Sequence, residues 1–176
     1  MFIPGQIIAL FTFPGVIVHE WSHATMCRWR EIPVHEICYF RFGDPSGYVS
    51  HDPPTDFWDT FLISFAPLLL GPAVAFLPGV ICFFIYITDG TRIGGIYLGL
   101  LYVMLLWFVG SVLFHTFPSS DDAKIVWNAC TKEVSRKKHP LPLVAFPLAA
   151  AVYLISEFRP YSFIAILVVF GFFGVI

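Results

Sequence analysis

Apolar residues fill this chain in long blocks, and the polar positions between them mark where each block ends. The first block covers residues 2–26. The second lies within residues 57–87 and is interrupted by Pro67, Pro72 and Pro78, which predicts a kink or an interfacial start. The third covers residues 94–117. Each is near the roughly 20 residues a helix needs to cross the hydrocarbon core of a bilayer. The tail, residues 141–176, is apolar apart from Glu157, Arg159 and Pro160. It predicts a hairpin of two short spans, or one tilted span with an interfacial helix. Between the first two blocks, residues 28–56 mix polar and apolar positions, with Pro33, Gly43, Pro45, Gly47, Pro53 and Pro54 as breaks and a β-like run over residues 37–42. That segment predicts a loop or small β-hairpin at the membrane face. The fold class expected is an all-α integral membrane protein, a bundle of about four to five transmembrane helices. With 176 residues it forms one domain, 1–176.

Composition agrees. Apolar residues are 57% of the chain and charged residues 12%, against roughly 25% charged in a soluble domain. A water-soluble fold could not hide that much apolar surface. The first block lacks the basic start of a signal peptide and is too long for one, so a retained helix is expected. No basic patch accompanies a nucleic-acid reader motif, so nucleic acid is not an expected partner; the lipid bilayer is. Cys27, Cys38, Cys82 and Cys130 contain no C-x-x-C pair and are expected to be small buried or interfacial hydrophobes.

Orientation follows from Lys and Arg. Arg28, Arg30, Arg41, Lys124, Lys132, Arg136, Lys137 and Lys138 fall on one side of the predicted bundle, and only Arg92 and Arg159 on the other. The first side should be cytoplasmic, with the N-terminus outside.

The chemistry is concentrated at the cytoplasmic end of the first block, in His19-Glu20-Trp21-Ser22-His23. Two His at i and i+4 of a helix lie about 40° apart around the axis and about 6 Å along it, so both imidazoles can reach one metal ion. Glu20 follows the first ligand and can take a proton from a water held by the metal. In a soluble helix H-E-x-x-H often means only a wet face. In an apolar block each charged group costs roughly 2.5 kcal/mol near the bilayer centre, so three ionisable groups on one face call for a partner, and a divalent metal suits them. One Zn2+ per chain is expected.

A catalytic zinc site needs a third protein ligand. Met26 and Trp29 stand where the metzincin extension wants Gly and His. Glu31 and Glu36 lie in an irregular segment. Asp89 ends the second block, on the far face of the membrane by this span count, and reads as a turn residue in Asp89-Gly90. Asp121 and Asp122 end the third block, on the same face as His19 and His23. Asp122 is the expected third ligand and Asp121 the alternative. One of the pair can instead cap a helix starting near Ala123. His115, in the same region, is a further candidate, or an interfacial residue.

With these residues in place, the chain resembles the site-2 protease-like intramembrane zinc metalloproteases over about residues 2–122. The H-E-x-x-H helix, the loop-like segment 40–49 with Gly43 and Gly47, and Ser64-Phe65-Ala66-Pro67-Leu68-Leu69-Leu70-Gly71-Pro72 carry the resemblance. The family's usual third-ligand signature, Leu-Asp-Gly or Pro-Asp-Gly, is replaced here by Pro118-Ser119-Ser120-Asp121-Asp122, and there is no PDZ-like domain. The resemblance implies hydrolysis of peptide bonds in transmembrane or membrane-associated proteins, with Glu20 as general base and His19, His23 and Asp122 on zinc. Two other classes of function compete: a zinc-containing scaffold or chaperone without turnover, and a metal transporter. A transporter should carry ionisable groups along other spans, but residues 61–88 and 94–114 hold no Asp, Glu, Lys, Arg or His.

The uneven division of basic residues sets a topology test. A reporter fused after Lys138 should be cytoplasmic and one inserted at Gly90 external. Both on one side of the membrane would mean that the span count is wrong and would return Asp89 to the list of ligands.

Overall fold

The computed structural model describes residues 3–89 and 95–135, together with Pro147. Among them are six helices and one two-stranded sheet: α1 (Ile3–Phe11), α2 (Phe13–Trp29), β1 (Val34–Cys38), β2 (Tyr48–His51), α3 (Phe57–Ser64), α4 (Ala66–Asp89), α5 (Ile96–Phe114) and α6 (Ser120–Ser135). The expected apolar hairpin over 141–176 lies outside the described residues, Pro147 apart.

The first apolar block is divided, where one helix was expected. α1 and α2 are about 14 and 26 Å long at 1.5 Å per residue, each short of a roughly 30 Å hydrocarbon core. The break is at Thr12, and Pro14 explains it: its ring nitrogen has no hydrogen to give the carbonyl four residues back. A new helix starts with Pro14 in its first turn, where that hydrogen is not missed. The second block is divided in the same way at Phe65, two residues before Pro67. Its first part, α3, is capped by Asp56, whose carboxylate accepts from Trp58 N at 3.0 Å. Two stretches, Phe57–Thr88 and Ile96–Phe114, are long and apolar enough to cross a membrane. Only 17% and 11% of their most apolar windows are buried within the protein, too little for core helices of a water-soluble bundle. Phe76 and Tyr97, exposed by 71% and 86%, are typical of the outward faces.

α4 packs most extensively on α5, and α2 packs on both. α6 lies on α3. Phe65, at the α3–α4 break, packs against Ala123, Val126 and Cys130 of α6. On its other side the break meets α2, through Ile63 and Ala66 against Met26 and Cys27. The hairpin expected between the first two blocks is present and antiparallel, pairing Ile37 with Val49 and Cys38 with Tyr48, with an irregularity between Val34 and Glu36. Its strand starts three residues earlier than the β-like run that predicts it.

Two glycines let helices approach closely. A Cβ on Gly15 of α2 would overlap the Ser111 carbonyl oxygen of α5 and come within 2.7 Å of the His115 ring. A Cβ on Gly71 of α4 would lie 2.8 Å from Thr116 Oγ1. Gly15→Ala must therefore push α2 and α5 apart. It should destabilise the fold by about 1–3 kcal/mol, the usual cost of overpacking. Gly79 of α4 has nothing within 4 Å of such a Cβ, and Gly79→Ala should be neutral or stabilising. Thermal unfolding of both variants in detergent checks the pair. Equal melting temperatures would mean that α2 and α5 are not held in this contact.

Candidate metal centre

The site lies where α2 passes the ends of three other helices. His19 and His23 come from α2 and are both buried, at 8% and 7% exposure. Asp122 comes from the first turn of α6.

Each histidine is oriented by a backbone carbonyl. His19 Nδ1 lies 2.7 Å from the His115 oxygen, and His23 Nδ1 lies 2.8 Å from the Ile63 oxygen. A carbonyl can only accept, so both Nδ1 atoms must carry the hydrogen. Both carbonyls are at helix breaks. Ile63 is four residues before Pro67, which has no N–H to offer it. His115 is the C-cap of α5, and Pro118 stops the helix from continuing.

This fixes the other side of each ring. With Nδ1 as donor, a neutral imidazole presents a bare lone pair at Nε2. The two Nε2 atoms are 3.1 Å apart, and Asp122 Oδ2 is 3.6 Å from each. Three acceptor atoms thus face one point, and only a proton or a cation there can make the cluster stable. A tetrahedral zinc site with bonds of about 2.0–2.1 Å separates its ligands by roughly 3.3 Å. The three observed separations bracket that value, so the residues fit a small divalent ion. Burial alone would work against a charge on Asp122. Where no metal is held, protons on the histidines take its place: positive charge at His23 and His19 then outweighs burial and holds the carboxyl well below the usual carboxylate range.

Asp122 is also built into a helix start. Its Oδ2 accepts from Ser119 N at 2.8 Å and from Ser119 Oγ at 2.6 Å, while its own N–H reaches Ser119 Oγ at 3.2 Å. This is a reciprocal capping box, with Ser119 as the cap and Asp122 three residues on. The cap is thus Ser119, and not one of the two acids, the alternative role open to them. Asp121 is exposed and pairs with Lys124 at 3.0 Å, away from the histidines. His115 gives its carbonyl to His19, and its Nε2 bonds the Thr12 hydroxyl at 2.8 Å. Asp89 ends α4, roughly 35 Å along that helix from Ala66 by helical rise, which removes it as a ligand.

Glu20 packs against the hairpin loop: a Cβ on Gly47 would lie 2.7 Å from Glu20 Cγ and 3.1 Å from its Oε1. A cleft in two lobes, of about 590 and 460 Å3, opens around these residues. Both lobes share His19, Glu20, the loop Asp44-Pro45-Ser46-Gly47, and Ser119. One extends towards α1, the other past His23 and Asp122 towards β2.

Comparison with protein-family models, with curated proteins and with solved structures gives no match.

The cluster of three acceptors predicts a definite pattern of metal uptake. His19→Ala, His23→Ala and Asp122→Asn should each lose most of about one equivalent of zinc, because two remaining ligands hold it poorly. Asp121→Asn should keep it. Metal analysis of the purified variants decides; full occupancy in a His19→Ala/His23→Ala double variant would eliminate the site.

Proposed function

We propose that the protein is a membrane-embedded zinc metalloprotease of the site-2 protease-like kind, with His19, His23 and Asp122 holding the metal and Glu20 acting as general base. One observation carries this reading: two Nδ1 atoms committed to carbonyls turn two Nε2 lone pairs and a carboxylate oxygen onto a single point. The H-E-x-x-H spacing and the cleft around Glu20 make a catalytic role more economical than a structural one.

Bound there, zinc would supply a Lewis acid that polarises a peptide carbonyl and makes a water molecule more acidic. The rest belongs to the chain. Glu20 takes the proton from the attacking water as its oxygen bonds to the carbonyl carbon. It then returns that proton to the departing amine as the C–N bond breaks. The His115 and Ile63 carbonyls keep both imidazoles in the ligating tautomer throughout. The substrate would be a transmembrane or membrane-adjacent protein segment, and its helix must unwind, because a helix occupies its own carbonyls. β2 is suited to receive the unwound chain. One edge pairs with β1, while Tyr48, Val49 and His51 line the cleft, so an extended peptide can add alongside.

Localisation follows from the same reading. The protein is multi-pass, with the metal centre at the cytoplasmic face, where eight of the ten basic residues fall. Gly71 of α4 is packed closely against Thr116.

A scaffold that kept zinc without turnover would share every one of these contacts except a use for Glu20, so the discriminating change is there. Glu20→Gln keeps the shape but cannot accept a proton. It is expected to insert normally, retain zinc, and cleave co-expressed single-span membrane proteins at least about 10²-fold more slowly. Cleavage at the parental rate, or full rescue of a deletion strain by the variant, would make the metal structural.

A further inference from the structure

We propose that Ser119 is the positioning residue of the metal centre: it holds Asp122 in front of the two histidines, so that metal loading and docking of the first turn of α6 become one equilibrium. This rests on the reading of His19, His23 and Asp122 as metal ligands.

The hydrogen bonds around Ser119 converge on one atom. A serine hydroxyl has one hydrogen and two lone pairs. Its hydrogen goes to Asp122 Oδ2 at 2.6 Å, and a lone pair accepts from Asp122 N at 3.2 Å. The backbone N–H of Ser119 adds a second donor to the same Oδ2 at 2.8 Å. An ordinary capping box would leave its carboxylate to serve only the helix. Here the carboxylate oxygen that closes the box is also the one 3.6 Å from both imidazoles. Pro118, fully buried just before Ser119, fixes where the box begins. α6 packs mainly on α3, and Asp122 is where it comes to the histidines of α2. Asp121, one residue earlier in the same turn, points out to Lys124 and provides an internal control.

Glycine separates positioning from capping. As an N-cap, Gly supports a helix almost as well as Ser, whereas Ala does not. Gly also removes the hydroxyl that Asp122 leans on. A residue that merely caps predicts that Ser119→Gly resembles the parent and Ser119→Ala does not. A positioning residue predicts that both variants lose metal affinity.

The test uses the full chain in detergent, with zinc affinity measured by competition with a chromophoric chelator. Amide hydrogen exchange over α6 is followed with and without zinc, and melting of the metal-free proteins serves as a fold control. Ser119→Gly is expected to melt like the parent without metal but to bind zinc about 10- to 100-fold more weakly, the usual effect of losing a ligand's supporting hydrogen bond. Ser119→Thr should restore affinity, and Asp121→Ala should leave it unchanged. Zinc should slow exchange in the first turns of α6 in the parent and much less in Ser119→Gly. Parental affinity in Ser119→Gly, or exchange in α6 that ignores zinc, would overturn the role of Ser119 and leave the metal site standing. A parent that takes up no zinc would remove both.

Discussion

The site depends on two carbonyl groups that their own helices cannot satisfy. A backbone oxygen in apolar surroundings must find a donor, because an unsatisfied one costs several kcal/mol in hydrocarbon. Pro67 cannot serve Ile63, and Pro118 ends α5 before His115 can be served. In each case an imidazole N–H fills the gap. The helix break and the tautomer that leaves Nε2 bare are therefore one feature. Removing either proline would offer the carbonyl a backbone partner and free the histidine to turn.

Close packing keeps this arrangement in register. Gly15 lets α2 touch the backbone of α5, and its N–H donates to Ser111 Oγ at 2.8 Å. By accepting from Gly15, Ser111 of α5 supplies the cap that the Thr12 side chain does not make for α2, and its own hydrogen goes to the Thr12 carbonyl at 2.8 Å. Thr12 donates to the Ile8 carbonyl and accepts from the His115 ring. The break between α1 and α2 is thereby tied to the residue whose carbonyl orients His19. Small residues and hydroxyls make this contact, because a larger side chain at Gly15 would collide with the backbone of α5.

How far these features were readable beforehand depends on how local they are. The i, i+4 histidines and the acid beside them are a helical spacing, and the expected span count favoured Asp122 over Asp89; Asp122 Oδ2 does lie 3.6 Å from both imidazoles. The hairpin followed from its Pro and Gly punctuation. Pattern could have gone further at one point: Ser119-x-x-Asp122 is a capping-box spacing that Asp121 does not share, and it singles out the inward-facing acid. The division of residues 2–26 was missed because a run of apolar residues hides a break that one proline sets. The pairing of Ile63 with His23 and of His115 with His19 joins residues 40 and 96 positions apart. No periodicity carries such information; it exists only once α2, α4 and α5 have packed.

Charge balance links the pieces under the proposed reading. Two neutral imidazoles contribute nothing, and the Asp122 and Glu20 carboxylates contribute two negative charges. Without a cation that pair of charges would sit in a half-buried cleft, with like charges close together and little water to screen them. One divalent ion brings the assembly to zero, so the cation that suits the lone pairs by geometry also suits the site by charge. A shared proton would cancel only half. The same balance argues that Glu20 belongs to the centre even though it does not coordinate. Packed against Gly47 beside His19, it is the carboxylate left over when three ligands with one negative charge hold a doubly charged ion. A base so placed keeps the resting site neutral, and when it takes a proton from water its negative charge passes to the attacking oxygen, so the total stays unchanged.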